Sequence, residues 1–95
     1  MKIFIKRIKV SEKINVLGEV AGIEYAYFIC IKVWGIFTKY LSIHSFSTWK
    51  KCVENNYTVF CNWEDDPSHA TQLTSGEASA ITECINTKPN LFLQT

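Results

Sequence analysis

Over residues 23–33 apolar side chains occupy both parities of the chain, with Tyr25, Tyr27, Ile29, Ile31 and Val33 on one and Ala26, Phe28 and Cys30 on the other. A strand apolar on both faces belongs in the middle of a sheet, so this segment predicts a central strand that the rest of the chain must flank. Residues 37–43 alternate Phe37, Lys39, Leu41 and Ile43 against Thr38, Tyr40 and Ser42, and a hairpin through Trp34 and Gly35 is the simplest connection. Residues 57–63 alternate in the same way. At the N-terminus, Ile3 and Ile5 fall on one parity and Phe4, Ile8 and Val10 on the other, which predicts a strand over residues 2–10 with an irregularity near Lys6 and Arg7. Residues 11–22 fit either a helix that aligns Ile14, Leu17 and Ala21 or a strand and turn. The glycines at 18 and 22, with Val16 and Val20, favour strand and turn.

Two helices complete the pattern. After an N-cap at Ser45 or Ser47, Trp49, Cys52 and Val53 recur at helical spacing, and Asn55 and Asn56 end that segment. Thr74 and Glu77 have the spacing of a capping box, Leu73 and Ala78 sit at the hydrophobic-staple positions, and Ala78, Ile81, Cys84 and Ile85 form an apolar stripe that stops at Asn86 and Pro89. Residues 91–93 suggest a last short strand. At 95 residues the chain suits one domain. The expected fold is therefore a single small α+β domain over residues 1–95, with an antiparallel or mixed sheet of four or five strands and both helices on one face.

Charge is unevenly distributed: residues 1–51 carry +6 and residues 52–95 carry −5, within a net charge of +1. Charge asymmetry bears on association more than on fold. The basic residues Lys2, Lys6, Arg7, Lys9 and Lys13 gather at the N-terminus, which makes nucleic-acid binding by that strand one alternative function. Lys2 and Lys6 share one parity while Arg7 and Lys9 share the other, and a single Arg in the chain argues against base-edge recognition. The longest apolar stretch, residues 25–37, contains Lys32 and is too short for a membrane-spanning helix. The start of the sequence lacks the apolar core of a signal peptide, so a cytoplasmic protein without membrane association is expected.

Cys30, Cys52, Cys61 and Cys84 each lie within apolar patterns, as free buried thiols do. A zinc set of Cys52, Cys61, His44 and His69 follows no known ligand spacing. Glu64, Asp65 and Asp66 form the one dense acidic run, with His69 close behind and Trp63 immediately before. Carboxylates and imidazole so placed could serve a small metal-dependent hydrolase or nuclease, the second alternative, although acids before Pro67 are also ordinary turn chemistry. No nucleophile elbow or phosphate-cradling loop occurs. Trp34, Tyr40, Trp49 and Trp63 supply candidate aromatic anchors, since aromatic residues are enriched at binding hot spots.

These residues point to a small, non-enzymatic, intracellular binding or inhibitor protein, in the manner of immunity proteins or phage anti-defence proteins. Its expected contact is the acidic loop of Trp63, Glu64, Asp65, Asp66 and His69, set against a protein partner with a basic surface. No cofactor or metal is expected. Homodimerisation through an uncovered N-terminal strand edge is a further expectation.

Overall fold

The computed structural model describes residues 2–95, which form a small α+β domain built on one five-stranded mixed sheet. The strands are β1 (Ile3–Ile14), β2 (Val20–Val33), β3 (Phe37–Ile43), β4 (Val59–Glu64) and β5 (Phe92–Gln94), and they lie side by side in chain order. The helices are α1 (Trp49–Glu54) and α2 (Ser75–Thr87). All neighbouring strands pair antiparallel except β4 and β5, which run parallel. A parallel pair needs a long crossover, and α2 supplies it. The central strand predicted over residues 23–33 is the C-terminal part of β2, and the last short strand is β5. No helix among the described residues is long and apolar enough to cross a membrane.

The apolar residues sort onto two faces as strand alternation requires. Ile29, Leu41, Ile43, Val59 and Cys61 face the helices and pack with Trp49, Val53, Leu73, Ala78 and Ile81. On the opposite face Ala26, Phe28, Cys30 and Tyr40 make a second cluster with Phe4, Ile8 and Ala70. Phe28 and Tyr40 meet there edge to face, with ring centroids 5.8 Å apart. Ile29 and Ile81 are wholly buried, and burying one such side chain stabilises a fold by about 1.5–3 kcal/mol.

The sheet forks in the middle. β2 and β3 pair only from Cys30–Tyr40 to Val33–Phe37, after which they diverge. Residues 71–73 fill the gap. Leu73 exchanges both backbone bonds with Tyr27, the Thr71 N–H donates to the Leu41 carbonyl, and the Ile43 N–H donates to Thr71 Oγ1 at 2.8 Å. Ala70 packs on the second cluster and Leu73 on the first, so the chain crosses from one face of the sheet to the other through this fork.

Past the fork, β1 and β2 continue together as a two-stranded arm, and the molecule extends to 51 × 33 × 19 Å. The irregularities of β1 lie beyond residues 6 and 7, where the ladder is regular. They fall at Val10 on β1 and at Ala21 on β2, because a bulge is a mismatch between two strands and a one-strand pattern locates it poorly. The arm's turn is tied by Asn15, whose Oδ1 accepts the N–H groups of Leu17 and Glu19, and Gly18 has φ +81°.

The capping box of α2 is formed: Thr74 Oγ1 accepts the Glu77 N–H at 3.2 Å, and Glu77 Oε1 accepts the Thr74 N–H at 2.9 Å. The first helix differs from expectation. A short 3-10 turn, Phe46–Thr48, precedes α1, and neither Ser45 nor Ser47 makes the side-chain cap. The 3-10 turn already employs the Thr48 and Trp49 N–H groups, and the Thr48 hydroxyl turns back to the Ser45 carbonyl at 3.2 Å. Asn56 closes the helix in the left-handed region, at φ 58°.

Candidate functional site

The acidic run straddles the end of β4, and strand alternation separates its members. Trp63 packs against the helix-side core with Cys61, whereas Glu64 lies opposite Tyr40 on the other face and accepts a hydrogen bond from Asn62 Nδ2. Asp65 returns to Trp63's side, where one carboxylate oxygen stands 3.1 Å from Lys39 Nζ. Its side chain remains 86% exposed, so this ion pair is worth little. Asp66 caps the 3-10 turn Pro67–His69 by accepting the Ser68 N–H at 2.9 Å, a bond that holds its carboxyl below the usual aspartate range. His69 is exposed at the end of that turn.

Each of the three carboxylates thus has an intramolecular partner, and the three do not converge. Among the described residues, no three His, Cys, Asp or Glu side chains come together as metal ligands would. The Cys52, Cys61, His44 and His69 set is scattered likewise: the His44 ring bonds Asn62 Oδ1 at 3.0 Å, while the Cys61 thiol is buried and points to the Leu93 carbonyl. The basic N-terminal strand divides as its parity requires. Lys6 reaches the Tyr40 hydroxyl on one face, and the Arg7 guanidinium lies 4.2 Å from the Tyr25 ring centroid on the other. Lys9 pairs with Glu12, and Lys13 with Glu24.

The four candidate aromatics separate cleanly. Tyr40 and Trp49 are core residues, Trp63 is half-buried, and Trp34 is 86% exposed. Beside Trp34, Ile36 and Phe37 are 74% and 56% exposed, and the Trp34 ring meets Phe37 edge-on at 6.4 Å. Phe37 pairs with Val33, and Lys39 with Ile31, so these four share one sheet face. Ile31, Val33, Lys39 and Trp63 then line an open cleft of about 620 Å³, together with Asn62, Gln94 and Thr95. Asp65 stands at the rim on Lys39.

The site therefore joins two predicted residues, Trp63 and Asp65, to the β2–β3 turn. Glu64 lies on the opposite face. Trp34 adopts φ 56° and Gly35 φ 70°, the paired positive values of a mirror-image hairpin turn, and the Ile36 N–H closes it on the Val33 carbonyl at 3.2 Å. Asn or Gly is the usual residue at such a position, and a bulky side chain there is strained. That mismatch between residue and turn was the available sequence signal for Trp34. No protein-family model, curated protein or solved structure matches this chain.

Proposed function

We propose that the protein is a small non-enzymatic binding protein that occupies a protein partner, and that the aromatic end of its sheet is the principal contact. One observation carries this reading: Trp34, Ile36 and Phe37 stand exposed together at the β2–β3 turn, and Phe37 pairs with Val33, which lines a cleft with Trp63. A contiguous exposed apolar patch with a polar rim is characteristic of an interaction surface. The rim charges are Lys39 and Asp65, with Asp66 next in sequence, so a partner bearing a basic patch next to an apolar one would complement it. Inhibition of the partner would follow from occupying its own binding surface.

The test is affinity capture from the native host with three baits. Trp34→Asn suits the φ of position 34 better than Trp does, so it removes the indole without opening the turn. A partner retained by the wild type and lost with Trp34→Asn supports the aromatic contact. Loss with a combined Asp65→Lys and Asp66→Lys variant assigns the basic complement. A partner held equally by all three baits would sink the proposal.

A further inference from the structure

The arm has two free edges, and they differ in kind. Among the described residues no strand pairs with the outer side of β1, which carries Lys6, Arg7, Lys9 and Lys13 against Glu12 alone. Two such edges brought together would oppose like charges, which is how natural sheets discourage edge pairing. The second edge is the arm portion of β2, where residues 20–26 have no strand partner among the described residues on the side away from β1. It reads Val-Ala-Gly-Ile-Glu-Tyr-Ala and has one charge, Glu24.

Backbone direction along this edge follows from Tyr27, whose N–H and carbonyl both bond outward to Leu73. Strand periodicity then turns the N–H and carbonyl of Tyr25 and Ile23 outward as well, since the bulge at Val10 lies on β1 and β2 is regular from Gly22 to Tyr27, up to its own bulge at Ala21. The side chains are half-exposed: Ile23 at 44% and Tyr25 at 39%. Glu24 is held by the Ser11 hydroxyl at 2.9 Å and by Lys13 at 3.3 Å.

The geometry points to a homodimer in which the β2 arm edges of two copies pair antiparallel about a two-fold axis at Ile23. In this register Ile23 exchanges both backbone bonds with its counterpart, and Tyr25 lies opposite Ala21 of the second copy. Glu24 lies opposite Gly22 of the second copy. Gly22 has no side chain, and its own neighbour on β1 is Lys13. Each Glu24 therefore faces a Lys13 from either copy, with nothing standing between. Moving the axis to Glu24 would set the two carboxylates against one another. Beyond the paired segment, each arm tip, with Val16 fully exposed and Leu17 77% exposed, runs toward a notch of about 390 Å³ on the other copy. Val10, Tyr25, Ala26 and Leu73 form the apolar part of that notch, beside Glu24, Gln72, Thr74 and Glu77. One contact thus satisfies the unpaired edge and covers the apolar tip.

Light scattering on the full chain is expected to give twice the 10.9 kDa monomer mass, and Ile23→Pro to give the monomer. The N–H removed at position 23 faces away from β1, so the β1–β2 ladder keeps its bonds. Glu24→Lys is expected to dissociate the dimer, and Lys13→Glu with Glu24→Lys together to restore it. Hydrogen exchange offers a readout independent of variants: the Ile23 and Tyr25 amides gain protection as concentration rises through the dimerisation range. A wild type that stays monomeric at several hundred micromolar, a folded Ile23→Pro chain that dimerises as the wild type does, or protection gained along β1 instead would each overturn the assignment.

Discussion

Thr71 holds the fork of the sheet, and its hydroxyl offers a sharp test of how the fork is closed. The Ile43 N–H, on a residue only 5% exposed, donates to Thr71 Oγ1 at 2.8 Å. Thr71→Val preserves the shape and removes the acceptor, so the N–H stays buried without a partner. Leaving such a group unsatisfied costs about 1–3 kcal/mol. For a domain of this size each kcal/mol lowers Tm by roughly 4–8 °C, so a fall of about 5–20 °C is expected. Thr71→Ser keeps the acceptor and loses one methyl group, and should cost less than about 1 kcal/mol. Urea titration followed by Trp fluorescence reads both variants, with a lower midpoint and an unchanged slope for Thr71→Val. If Thr71→Val lies within about 0.5 kcal/mol of wild type, or Thr71→Ser proves worse than Thr71→Val, the hydroxyl does not close the fork and the reasoning fails.

Two further outcomes follow from titratable groups. The Ser68 N–H lowers the Asp66 pKa in the folded state, so the bond's contribution is complete above the ordinary aspartate range and is lost as pH falls through the depressed value. The Tm difference between wild type and Asp66→Ala should accordingly be present at about pH 7 and narrow toward about pH 2; a difference independent of pH would assign the effect to backbone propensity instead. Burial pushes the Cys30 thiol up to about 11 and raises that of Cys61 in the same direction. Neither should react with a thiol reagent near pH 8 until urea unfolds the chain, since roughly one Cys30 in a thousand is then thiolate, and mass spectrometry of native labelling that finds Cys30 modified at the rate of a free thiol would contradict its placement.

Much of the fold was legible because its signals are local. Thr74 and Glu77 announce a capping box from spacing alone, and residues 37–43 alternate cleanly because one face meets the core. The fork was not legible. Residues 71 and 72 read as the end of a polar loop and Leu73 as the staple of a helix, and only the divergence of β2 from β3 creates the vacancy they fill. The arm was ambiguous for a related reason: Ile14, Val16, Leu17 and Val20 look like core residues in sequence, yet all are exposed. Hydrophobicity fixes that a side chain seeks cover, while the source of that cover lies outside the local pattern.

The acidic run shows how contiguity in sequence misleads at the end of a strand. Trp63 and Glu64 are adjacent in β4, and adjacency there means opposite faces, so the aromatic anchor and its nearest acid cannot act on one surface. The residues that do share Trp63's face come from elsewhere: Lys39, Val33 and Phe37 arrive through the register of β2 with β3. Trp34 joins them because a left-handed turn residue throws its side chain clear of the sheet. A strand end displays residues from each hairpin partner on one surface, and the β2–β3 turn therefore assembles what the run at residues 63–66 divides. Replacing Trp34 by Asn relaxes the turn and removes the contact at once, which sets binding against stability: a residue kept for folding alone would be the Asn.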